Sequence, residues 1–100
     1  MPPGADIKTQ ETYDVTLDEA FFASLDVVVS AGWSLVEENK AAGTIKAVVP
    51  SHGLSDPPAS VLIVISPRGE DTVLVRAGIN SQWTGYGTDQ YYYHFFEQLD

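Results

Sequence analysis

The sequence predicts an α+β fold, a two-layer sandwich of about five mainly antiparallel strands with two helices on one face. Three observations predict it. Apolar residues recur at helical spacing in two stretches, one early and one at the end of the chain. Between them lie four stretches of period-two alternation or short apolar runs. The turns joining those strands are too short for a crossover, so neighbouring strands run antiparallel. The order along the chain is strand, helix, four strands, helix, and the two helices cover one sheet face.

Residues 1–6 (MPPGAD) read as a disordered lead-in and 7–100 as one α+β domain. In IKTQETYDV, Ile7, Tyr13 and Val15 fall on one face and Lys8, Gln10, Thr12 and Asp14 on the other, the pattern of a half-buried strand. Its place, beside the second strand or the last, stays open. Leu17, Phe21, Leu25 and Val28 then recur at helical spacing, widened by Ala20, Phe22 and Val29. Thr16 and Glu19 form a capping box, in which a hydroxyl accepts from an early backbone N–H and a carboxylate reaches back. Gly32 ends the helix because glycine accepts the left-handed conformation of a C-terminal cap.

Trp33, Leu35, Ile45, Ala47 and Val49 share one face of a hairpin closed by NKAAG. Pro50, with no N–H for a ladder, stops its second strand. SHGLSDPPA is a loop by composition. SVLIVIS is a strand apolar on both faces, PRGED a tight turn, and TVLVRAGIN a strand with Val73, Val75, Ala77 and Ile79 inward. SQWTGYGT is a loop leading to a helix from Gln90 to about Leu99, capped by Asp89 or Thr88. Tyr92, Phe95, Phe96 and Leu99 form its core-facing stripe.

Composition excludes several functions. Fourteen acids against five bases give a net charge of −9, which repels nucleic acid and anionic membrane surfaces. With no Cys there is no disulfide, thiolate metal site or thiol nucleophile. No apolar run is long enough for a transmembrane segment, and the first residues lack the pattern of a signal peptide.

No convergent catalytic set stands out, so no enzyme, cofactor or metal is expected. Ser51, His52 and Asp56 share a Pro/Gly-rich loop, but adjacent Ser and His seldom face one another as a catalytic relay requires. His94 has Glu97 one turn on, a spacing that suits a weak helical pair. Glu37-Glu38 and Glu70-Asp71 sit at hairpin ends, where carboxylates are solvated rather than tuned. Gly85 and Gly87 precede Asp89, whose charge would repel a phosphate, so nucleotide binding is rejected. Arg68 and Arg76 remain, with Arg76 placed on a strand and facing outward.

The strand face opposite the core is half apolar. Val36, Val48, Leu62, Val64, Leu74 and Arg76 stand there among Ser34, Thr44 and Lys46, and form a candidate interaction face. Trp83, Tyr86 and Tyr93, around the Gly85–Gly87 loop, form a candidate surface contact patch.

The run AGWSLVEENKAAGTIKAVV, flanked by helices, resembles a recurrent domain of small bacterial envelope lipoproteins. In element order it is similar to the repeated domains of the outer-membrane assembly lipoprotein BamC. The matching residues are Gly32, Trp33, Leu35, Gly43, Ile45, Ala47, Phe95, Phe96 and Leu99, all packing positions. The resemblance implies a non-enzymatic envelope or periplasmic domain, exported by a signal and tethered by a lipid anchor outside residues 1–100, and cytoplasmic without them. It transfers no site residues.

The leading expectation is thus a non-enzymatic binding or assembly module of a bacterial envelope protein. It would use the outer sheet face for self-association or contact with a protein partner. The alternative is a small apolar-ligand carrier with a cavity between helix and sheet, lined by Phe21, Phe22, Trp33, Trp83 and tyrosines.

Overall fold

The computed structural model describes residues 9–50, 59–81 and 88–100, with the side chains of 81 and 88–90 left aside. The elements are β1 (Gln10–Tyr13), α1 (Leu17–Ser30), β2 (Ser34–Asn39), β3 (Thr44–Val49), β4 (Ala59–Gly69), β5 (Thr72–Ser81) and α2 (Thr88–Leu99). The strands form one sheet in the order β1-β5-β4-β3-β2, with every neighbouring pair antiparallel. The order of elements and the α+β class agree with the expectation. The first strand flanks the last one, so α1 carries the chain from one sheet edge to the other.

Local chemistry sets the limits of α1. The Thr16 hydroxyl accepts from the Glu19 backbone N–H at 3.2 Å, and the Glu19 carboxylate accepts from the Thr16 N–H at 3.1 Å. At the other end Ala31 is the C-cap and Gly32 has φ +79°. Trp33 N–H reaches Val28 O and Gly32 N–H reaches Val29 O, both at 3.1 Å, which satisfies carbonyls the helix leaves free. Gly43 is more tightly constrained. It has φ +71°, its carbonyl accepts from Ile65 N–H at 2.7 Å, and any Cβ would strike the Ile65 carbonyl oxygen.

The core lies between the sheet and the helices. Ile45, Ala47, Val49, Ala59, Val61, Ile63, Ile65, Val73, Val75, Ala77 and Ile79 all point inward and are buried, at every second residue of β3, β4 and β5. Phe21 and Val28 of α1 and Phe95 and Phe96 of α2 close over them. Phe95 and Phe96 meet edge to face at 5.0 Å, a favoured aromatic geometry. The Tyr92 hydroxyl accepts from Ile79 N–H at 2.8 Å.

Several details differ from the expectations. Phe22 and Val29 are 55% and 62% exposed, so the buried face of α1 is Ala20, Phe21, Ser24, Val27 and Val28. A helix turns about 100° per residue, and Phe22 and Val29 fall just past the stripe that meets the sheet. Leu35 is 42% exposed because β2 is an edge strand whose six residues are all exposed. β4 continues through Pro67 and Gly69 past a bulge, leaving a turn of Glu70 and Asp71. Pro is tolerated at such irregularities. α2 begins at Thr88, two residues before the expected start at Gln90. Ile7, Lys8 and the lead-in lie outside the described residues.

Candidate functional site

Among the depressions of the described surface, two flank the sheet, one on each side. The first is a cleft of about 270 Å³ at the helical side, lined by Tyr13, Val15, Glu19, Ala20, Ala23, Val75 and Leu99. Its origin is a shortage of side-chain volume. Ala20 and Ala23 lie one turn apart on α1 and leave space over Val75. Tyr13 and Val15 wall it on the side of β1, and Leu99 of α2 contributes a further apolar wall.

Polar groups stand at its rim. The Tyr13 hydroxyl donates to Asp100 Oδ1 at 2.5 Å. Burial, then this hydrogen bond and the charges of Asp100 and Glu11, raise the Tyr13 pKa above its ordinary value. Glu19 accepts from the Thr16 N–H and from the Thr16 hydroxyl at 3.0 Å, and those bonds hold its carboxyl below the usual range. The cleft is therefore apolar inside and acidic at its border.

The second depression is a groove of about 260 Å³ on the open face, lined by Val36, Lys46, Ala47, Val48, Ser60, Val61, Leu62, Gly78 and Asn80. Gly78 stands opposite Leu62, and Asn80 opposite Ser60, in the β4–β5 register. Lys46 stands opposite Leu62 across β3–β4 and opposite Glu37 across β2–β3.

The expected interaction face is one surface, but it is not uniformly accessible. Val36 and Leu62 are exposed at 63% and 41%, Val48 and Val64 are half-buried, and Arg76 is exposed. Leu74 is 7% exposed although it points to the open side, between Thr12 on β1 and Ser66 on β4. Val36, Val48 and Leu62 come together in the groove; Val64, Leu74 and Arg76 do not line it.

Of the candidate contact patch, Tyr93 is half exposed, while Trp83 and Tyr86 lie outside the described residues. So do Ser51, His52, Asp56, Gly85 and Gly87. His94 is exposed, with its ring 6.1 Å from that of Trp33. Glu37, Glu38, Glu70 and Asp71 are exposed. Arg76 faces Gln10 and Val64 across the strands, neither of them a carboxylate. Of the residues expected to line a cavity between helix and sheet, Phe21 and Trp33 are buried in the core, Phe22 is exposed, and Trp83 lies outside the described residues.

Among the described residues no group of His, Asp and Glu could hold a metal ion, and no helix is long and apolar enough to cross a membrane. Sequence reasoning missed Ala20 with Ala23, Ser60, Gly78 and Asn80. A glycine inside an alternating strand was the available signal.

No family model and no curated protein matches the chain. Among solved structures it is similar to a chain in the crystal structure of the adenylate sensor from AMP-activated protein kinase, in complex with 5-aminoimidazole-4-carboxamide ribofuranotide (ZMP). That match has a TM-score of 0.73 at 10% identity and covers 89% of this chain and 93% of the other. It corrects the leading expectation. That neighbouring chain belongs to an adenylate sensor, so an envelope assembly module working through the outer sheet face is set aside; at 10% identity what the two chains demonstrably share is the fold.

Proposed function

We propose that this chain is a small-ligand-binding domain, without catalysis of its own, whose ligand sits in the cleft between α1, β1 and the end of α2. The observation that carries the reading is that cleft, an apolar hollow of about 270 Å³ with polar groups only at its rim. Pockets of this make bind by burying an apolar body and orienting it through a few polar contacts. Sharing a fold with part of a sensor solved with a small molecule bound supports the class of function.

The cleft's chemistry narrows the ligand. Its volume lies just under the usual range for drug-sized molecules, so the ligand is small. Glu19 and the Tyr13–Asp100 pair make the rim acidic, which disfavours phosphates. The ligand is then an uncharged or cationic apolar molecule rather than a nucleotide.

Ala23 is exposed at the cleft, so Ala23→Phe should fill it without disturbing the core. A titration with an uncharged fluorescent probe such as Nile red should saturate in the wild type. In Ala23→Phe it should weaken at least tenfold at unchanged melting temperature. Unsaturable probe binding, or equal binding by the variant, would refute the cleft as the site.

A further inference from the structure

We propose that the open face of the sheet carries a second and separate binding site, the groove over Gly78, for a small aromatic carboxylate. The first argument is the glycine. Gly78 lies within β5, where glycine weakens a strand relative to alanine. Neither usual reason for glycine applies. Its φ is not in the left-handed region, and a Cβ there would meet nothing nearer than Leu62 O at 4.0 Å. What its bareness does is leave a hollow beside Leu62, and glycines in strands mark places where a ligand approaches the backbone closely.

The second argument is the lining. Val36, Val48 and Leu62 supply apolar walls for a flat ring. Ser60 and Asn80 supply hydrogen-bonding groups, and Lys46 supplies a cation. A small set of polar groups around an apolar floor is the composition that orients a ligand.

The third argument is charge. In a chain of net charge −9, the strand residues of this face include two cations, Lys46 and Arg76, and one carboxylate, Glu37. Glu37 is opposite Lys46 by register, yet no ion pair joins them among the described residues, and Glu37 does not line the groove. The groove thus presents a cation to an incoming anion, on the side of the sheet away from the acidic rim of the cleft. A carboxylate on a planar ring places its charge at Lys46 and its ring over Gly78.

The test is a titration of the isotopically labelled chain with 2-naphthoate, followed by amide chemical shifts. Saturable shifts should concentrate at Lys46, Leu62, Gly78 and Asn80. Gly78→Leu fills the hollow and should abolish them while the variant stays folded. Lys46→Gln, at an exposed position, should weaken binding at least fivefold and flatten its dependence on salt. Ala23→Phe should leave it unchanged, which separates failure of this site from failure of the cleft. No saturation, unchanged binding in both groove variants, or shifts gathered at Tyr13 and Leu99 would each overturn the proposal.

Discussion

The two faces of the sheet use the same three central strands and differ in what their alternate residues contribute. On the covered face, β3, β4 and β5 present a run of inward Val, Ile and Ala side chains, from Ile45 to Ile79, that are buried under Phe21, Val28, Phe95 and Phe96. On the open face the same strands present Thr44, Lys46, Val48, Ser60, Leu62, Val64, Arg76, Gly78 and Asn80, a mixture of sizes and polarity. The covered face has a volume to fill, so its residues answer to packing. The open face has none, so a missing side chain such as that of Gly78 persists as a hollow. Irregularity on a face without a packing requirement is therefore more informative about binding than irregularity in a core.

The sharpest way to break this comparison is to truncate one large side chain on each face. Phe95→Ala removes a fully buried ring and should cost about 3–5 kcal/mol. Leu62→Ala, at a residue 41% exposed, should cost less than about 1 kcal/mol. Urea unfolding of the two variants measures the gap, and comparable losses would mean that the open face is covered in solution.

A smaller effect probes the one polar exception among the buried residues that the structure describes. Ser24 is fully buried, and its hydroxyl has no hydrogen-bond partner among the described residues. An unsatisfied buried hydroxyl costs stability, so Ser24→Ala should gain about 1 kcal/mol in the same assay. A loss of that size would reveal a partner for the hydroxyl.

The smallest effect concerns pH at the cleft rim. Tyr13 has its pKa raised from an ordinary 10.0, chiefly by burial and then by its bond to Asp100. The folded state keeps a proton that the unfolded state releases above about pH 10, so stability is intact below that value and falls as pH rises through it. Tyr13→Phe should flatten this alkaline decline in melting temperature. An unchanged slope would assign the decline to other groups.

Much of the fold was legible because it rests on periodicity and local chemistry. The capping box at Thr16 and Glu19, the stop at Gly32 and the stripe of Tyr92, Phe95, Phe96 and Leu99 are each written within a few residues. The exposure of Phe22 and Val29 was not, since a helix with apolar residues on more than one face does not say which face meets the sheet. The position of β1 was not legible either, because pairing with β5 joins distant parts of the chain. The depressions were the least legible. They arise where Ala20 meets Ala23 over Val75 and where Gly78 meets Leu62, and such gaps exist only once registers are set.

The pairing of β1 with β5 also sets an order in time. β2 to β5 can assemble as successive hairpins from contacts between neighbours in sequence, whereas Gln10 finds Arg76 only by closing a loop that contains most of the domain. Closing such loops is slow, so β1 should dock late in folding. On the ribosome β1 emerges first and waits for a partner made last. Until it docks, β5 presents an unpaired edge of mostly apolar residues, and this interval is when the young chain is most open to aggregation.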